Sequence, residues 1–241
     1  MLDDKRGWGV EILGPEDEKA LWVKVLKAPF PPYLETVSDP LGDYIVLMSL
    51  KFDGLSSAGD VQTTAKEMLP LLSVSMRQLH QTKPMRIGAS IEFVAGCSPR
   101  RHHFIALEAS GIVLGGGPIE VVHTDAEGNI IEPDPMPSAA QRWMQVAGAS
   151  PNIAAGMAYI DGTPGWLEIY KAYEVLKDLP SSTAIGDDVN RLTQTANTMD
   201  NRHSPLTKKG GTPHRYPMNL HEAKCLIVRW LDAAVKDALG E

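Results

Sequence analysis

The chain has 241 residues, 43% of them apolar and 22% charged, with 21 glycines and 18 prolines. That is the composition of a globular protein with enough material for a buried core, and it excludes a disordered, collagen-like or low-complexity chain. The net charge of −7 argues against a surface that coats nucleic acid or an anionic membrane as a whole, while leaving room for a local basic patch.

The start, Met1-Leu2-Asp3-Asp4-Lys5-Arg6-Gly7, lacks the basic-then-apolar pattern of a signal peptide. The longest apolar runs, such as 44–48, fall far short of a bilayer span. The expectation is a cytosolic protein with no membrane partner. Its two cysteines, Cys97 and Cys225, are then expected as reduced thiols.

In chain order, residues 21–27 read as a short strand ended by Pro29, Pro31 and Pro32. Residues 43–52 are rich in β-branched and large apolar side chains and are closed by Asp53-Gly54, a second strand. Over 60–80, Val61, Ala65, Met68, Leu69, Leu72, Met76 and Leu79 form one stripe of a helix. Pro70 inside it predicts a kink or break near Met68, because proline removes a hydrogen bond and clashes with the preceding turn. Strand signals resume over 85–95 and, after the polar turn 97–101, over 102–110. Segments 119–125 and 129–132 flank Ala126-Glu127-Gly128 as a hairpin. Gly115-Gly116-Gly117 lies between strands and reads as a flexible turn.

After Pro133, Pro135 and Pro137 the signals are helical. Ser138 caps one helix with Trp143, Val146 and Ala147 on its apolar side, and Ser150-Pro151 opens a second. Thr163-Pro164 opens a third over 165–179, lined by Trp166, Ile169, Tyr170, Tyr173 and Leu176. Asp187 or Asp188 starts a fourth, carrying Val189, Leu192, Ala196 and Met199. Asn219, with Glu222 three residues on, caps a fifth that runs to about 239 and buries Leu220, Ala223, Ile227, Trp230, Leu231, Ala234 and Ala238. The fold class is therefore α+β, with two domains: a mostly antiparallel sheet with one long helix over 1–132, and a helical bundle over 138–241.

Standard catalytic fingerprints are absent. There is no G-x-G-x-x-G, no P-loop, no G-x-S-x-G, no H-E-x-x-H, no C-x-x-C and no EF-hand loop. Nothing in the pattern requires a cofactor. The distinctive segment is 201–221. It holds Arg202, Lys208, Lys209 and Arg215, with His203, His214 and His221, and no acid between Asp200 and Glu222. Arginine, lysine and histidine presented together can hold a phosphate or carboxylate by charge-assisted hydrogen bonds. The same composition also suits a solvated connector between helices. Arg202 could equally pair with a carboxylate such as Glu174, leaving His203 to hydrogen-bond a helix end.

His221 and Cys225 stand four residues apart on the polar side of the last helix, a spacing at which two side chains can share a zinc ion, with His203 or His214 completing the shell. Cys97, His102 and His103 form a looser cluster. An exposed helix face and an exposed turn are the plain alternatives, and no metal is required by either.

Trp166, then Ile169-Tyr170-Lys171-Ala172-Tyr173-Glu174, Leu192 with Thr195-Ala196-Asn197, Arg202-His203, and Pro217-Met218-Asn219-Leu220-His221-Glu222-Ala223 resemble a recurring set of uncharacterised bacterial proteins. More distantly, the C-terminal half is similar to HEPN-type helical domains, which include RNA-cleaving and defence proteins as well as inactive interaction modules. In the nucleases an Arg and a His a few residues apart supply catalysis, usually across a dimer. Here Arg202 and His203 are adjacent, while Arg191 precedes His203, and Arg202 precedes His214, at wider spacing.

The leading expectation is a cytosolic bacterial binding or accessory protein whose loop 201–215 (Arg202, His203, Lys208, Lys209, His214, Arg215) engages an anion: a nucleotide, RNA or an acidic partner surface. The resemblance implies the alternative of a metal-independent endoribonuclease acting as a homodimer, with His203 as acid/base and Arg202 and Asn197 holding phosphate. A zinc-stabilised structural module is the third reading.

Overall fold

The structure is a computed structural model, and it describes residues 7–40, 42–94, 96–104, 136–180, 186, 188–197 and 216–241. By compactness the chain forms two units: Met1–Lys66 with Met85–Ser138, and Glu67–Pro84 with Ala139–Glu241. The fold class is α+β.

The first unit is built on a five-stranded antiparallel sheet: β1 (Gly7–Leu13), β2 (Tyr33–Asp39), β3 (Gly42–Met48), β4 (Arg86–Phe93) and β5 (Arg100–His102), in the order β2-β3-β1-β4-β5. Period-two alternation sets the faces. Trp8, Val10 and Ile12 of β1 are buried on one side, along with Leu34 of β2 and Leu47 of β3. Tyr44, Val46 and Met48 of β3 cluster on the other with Ala89 and Ile91 of β4. Gly9 permits this second cluster. A Cβ built on it would collide with Val46 Cγ1 and come within 2.8 Å of Met48 Sδ.

Residues 21–27 are not a strand. They belong largely to a helix, α1 (Glu16–Val25). Its start follows Pro15 and carries Glu16, Asp17 and Glu18 in the first turn, where the helix dipole favours negative charge. Trp22 and Leu26, four apart, are fully buried. Burying a leucine is worth roughly 2 kcal/mol, more than the few tenths of a kcal/mol per residue by which valine and tryptophan disfavour helix. β1 and β2 carry no clear strand signal in the sequence. β3 stops at Met48, and Leu50–Phe52 forms a single 3-10 turn. β5 begins at Arg100 rather than His102. The proposed 119–125/129–132 hairpin, the glycine run 115–117 and the remainder of 102–110 lie outside the described residues.

The long helix α2 (Ala58–His80) runs unbroken through Pro70. Its first turn is secured by Ser57, whose Oγ accepts from Asp60 N at 3.1 Å. Gln62 Nε2 then donates to Gly88 O at 3.1 Å, and Ser90 Oγ to Ala58 O at 3.1 Å, which seats these turns on β4. Pro70 has no N–H to offer Lys66 O, and Lys66 is also the last residue of the first unit's opening segment.

The second unit takes the remainder of α2 together with α3 (Ala139–Ala149), α4 (Pro151–Tyr159), α5 (Trp166–Leu176), α6 (Asp188–Ala196) and α7 (Leu220–Leu239). One core joins them: Val74, Trp143, Met157, Ile160, Ile169, Leu176, Leu192, Trp230 and Leu231. Local chemistry sets most boundaries. Ser150 Oγ accepts from Ile153 N at 3.4 Å with Pro151 at the first position of α4. Asn219 and Glu222 form a reciprocal capping box on α7, and Gly240 closes it in the left-handed region at φ 75°. The third helix of the bundle ends at Leu176, short of 179. On α7 the buried residues include Leu226 and Val235, while Leu220 and Ala238 are exposed. Among the described residues no helix is long and apolar enough to cross a membrane.

Candidate functional site

The basic segment leaves α6 and returns at α7, and the described residues at its two ends are locked together. Arg191 of α6 donates from Nε to Tyr216 O at 2.9 Å, and from one terminal nitrogen to Pro217 O at 3.3 Å and Glu222 Oε2 at 2.9 Å. One turn on, the buried Thr195 Oγ1 accepts from Met218 N at 3.0 Å while donating to Arg191 O at 2.8 Å. Met218 itself is buried in the bundle core. Glu222 Oε2 also accepts from Asn219 N at 2.8 Å, and Asn219 Oδ1 accepts from Glu222 N at 2.8 Å. The planar guanidinium suits this role, since it can reach two carbonyls and a carboxylate at once.

This latch sets the local electrostatics. The Asn219 N–H, and then the Arg191 guanidinium by hydrogen bond and by charge, hold the Glu222 carboxyl below its ordinary range. Glu222 therefore stays ionised and neutralises Arg191. The acid-free character of the segment between Asp200 and Glu222 is thus bounded by an acid already committed to a cation.

Of the predicted site residues, Arg202, His203, Lys208, Lys209, His214 and Arg215 lie outside the described residues, and with them the suggested Arg202–Glu174 pair. Asn197 is described. It is half-buried just beyond α6, and its N–H donates to Thr193 O at 3.0 Å. Arg191, Thr195 and Glu222 are not among the residues that the sequence marks as a site. Their signals in the sequence are the capping pattern, which marks Glu222 as a helix-start residue, the motif strings that contain Thr195 and Glu222, and the Arg191-to-His203 spacing, none of which points to a latch. Tyr216, beside the latch, exposes 64% of its surface.

The aromatic residues of α5 serve the core. Trp166 and Tyr173 pack against it, and the Tyr173 ring meets Trp230 edge-on at 6.0 Å. His221 and Cys225 are exposed on α7, with Cys225 Sγ 3.6 Å from His221 Nε2. Cys97, His102 and His103 are not brought together as a group of three donors. His102 Nε2 pairs instead with the buried Glu92 Oε2 at 3.0 Å beside the Trp8 ring, and Cys97 is an exposed thiol. Among the described residues no three His, Cys, Asp or Glu side chains are placed to hold a metal ion.

A second charged cluster stands on the sheet. The Arg101 guanidinium lies 3.6 Å from the centroid of the Tyr44 ring, with Nε 3.0 Å from Asp39 Oδ2 and a terminal nitrogen 3.7 Å from Glu11 Oε1. Burial pushes the Tyr44 phenol above its ordinary value. The carboxylates of Asp39 and Glu11 offset the charge of the guanidinium and the Tyr44 face covers its plane, which makes this cluster a staple across strands.

Compared with known proteins, the chain matches no family model, no curated protein and no solved structure.

Proposed function

We propose that the chain is a cytosolic binding or accessory protein that engages an anionic ligand through the basic segment 201–215. The observation that carries this reading is the latch of Arg191 and Thr195 on Tyr216, Pro217, Met218 and Glu222, which joins the described flanks of a sequence run containing Arg202, Lys208, Lys209 and Arg215 and no acid. Closing a chain segment costs entropy that grows with its length. Here the packing of α6 and α7 and the latch meet that cost before any ligand arrives. Four cations and two histidines within fifteen residues of sequence suit an oligoanion, because each guanidinium or ammonium neutralised by a phosphate also releases counterions.

The test is titration of the full chain with a labelled single-stranded RNA, with ATP and with polyglutamate at several salt concentrations. The expected result is salt-dependent binding of at least one probe. Substituting Arg202, Lys208, Lys209 and Arg215 with glutamine weakens it, and for RNA the salt slope falls by about 0.7 for each phosphate that is no longer neutralised. Binding that is absent in the unaltered chain, or equal in the substituted one, overturns the reading. Incubation of the RNA with protein in EDTA separates binding from catalysis. Cleavage that is lost in His203→Ala would assign the endoribonuclease reading instead, and sedimentation of the active species would show whether it works as a homodimer.

A further inference from the structure

The last helix carries a chemistry that the anion reading does not use. His221 and Cys225 lie one turn apart on α7, both exposed, and Cys225 Sγ stands 3.6 Å from His221 Nε2. A helix brings side chains four positions apart onto one face, and here it sets a nucleophile against a base. The other cysteine, Cys97, is exposed too and makes no side-chain hydrogen bond among the described residues. The chain thus holds two accessible thiols, of which one has an imidazole at contact distance.

The acids that reach this part of α7 are already paired. Glu222 is held by Arg191 and by the N–H of Asn219. Asp161, in the turn after α4, is held by Arg77 of α2. Arg229, four residues beyond Cys225, pairs with Asp188. Lys224 has a neutral partner instead, donating from Nζ to Gly162 O at 3.1 Å. Burial, and then the Arg77 charge, lower the pKa of Lys224, while Asp161 and Cys225 act the other way. Its ammonium is therefore close enough to offset negative charge on the Cys225 sulfur. Accessible cysteines in basic surroundings are the reactive ones, because the thiolate is the nucleophile.

We propose that Cys225 is a thiol–disulfide exchange site whose substrate is a small disulfide of the glutathione class, with His221 taking the thiol proton. The Cys225 S–H bond breaks as Nε2 accepts the proton, and the thiolate sulfur attacks one sulfur of the disulfide. A new sulfur–sulfur bond forms, the old one breaks, and the departing thiolate takes up the proton from the imidazolium. Cys225 is oxidised, and the half of the disulfide that leaves is reduced to a thiol. Both residues being exposed, the adduct requires no repacking of the bundle core.

The test is incubation of the reduced full chain with glutathione disulfide, read by mass spectrometry of the peptides that carry Cys97 and Cys225. The expected result at about pH 7 is an adduct that forms on Cys225 about tenfold faster than on Cys97. His221→Ala slows Cys225 by about as much and leaves Cys97 unchanged. The deficit of His221→Ala closes at about pH 10, where the thiol ionises without help, whereas a change in access would persist there. Circular dichroism checks that the helices remain, as an exposed substitution should allow. Equal rates at the two cysteines, a Cys225 rate that His221→Ala leaves unchanged, or a deficit that remains at the higher pH overturns the proposal.

Discussion

Arg191 on α6 and Glu222 on α7 meet at 2.9 Å, and the same guanidinium takes the carbonyl oxygens of Tyr216 and Pro217. One side chain thus ties a helix, a helix start and the backbone between them. Arg191→Lys keeps the charge but cannot span three acceptors. The expected result is faster hydrogen exchange at Met218 and Asn219, by about tenfold for a loss of about 1.4 kcal/mol, with little change elsewhere. Asn219→Ala, which removes the acceptor for Glu222 N, should cost about 1 kcal/mol in chemical denaturation.

Acid should destabilise the protein in two windows. Burial lowers the His80 imidazole from its ordinary value of 6.5, and its Nε2 finds no hydrogen-bond partner among the described residues. The unfolded chain then binds the proton more readily than the folded one, so stability is complete above 6.5 and falls as pH drops below it. Glu222, also held below its ordinary value of 4.5, contributes stability above that value and loses it as pH falls further. Urea titrations between pH 7.5 and 3.5 should show both declines. The upper one should vanish in His80→Gln and the lower one in Glu222→Gln.

Gly9 is required by its neighbours rather than by its backbone angle. Gly9→Ala would drive a methyl group into Val46 Cγ1 and Met48 Sδ in the middle of the sheet, and the expected loss is about 1–3 kcal/mol. A denaturation midpoint equal to that of the unaltered chain would contradict the packing described for β1 and β3.

Pro70 is exposed in the interior of α2. Pro70→Ala restores a donor for Lys66 O and removes a ring clash, so the helix should gain about 1–3 kcal/mol. The check is the same denaturation measurement, with helical circular dichroism unchanged.

The legible parts of the sequence are those written locally. Ser150-Pro151 and Asn219 with Glu222 announce α4 and α7 because caps act within one turn. The stripe from Val61 to Leu79 announces α2 because its period is sustained over many turns. α1 reads as a strand because Leu21, Trp22, Val23 and Val25 are apolar without a clear period. The better signal is Pro15 followed by three acids. β1 is hidden by Gly7 and Gly9, and β2, an edge strand, buries only Leu34 among Tyr33–Asp39. The basic segment stands out by composition, but its anchorage does not. Arg191 reaches carbonyls 25 and 26 residues away, and backbone oxygens have no letter in a sequence.

α2 also governs how the protein can be dissected. The proline-rich stretch before Ser138 invites a cut there, yet Leu71, Val74 and Leu79 belong to the hydrophobic cluster of the C-terminal helices. A fragment beginning at 139 would lack Leu71, Val74 and Leu79 from its interior, and its N-terminal counterpart would carry those side chains uncovered in the middle of its chain. A truncation at this point therefore removes part of a core along with whatever activity the missing segment carries.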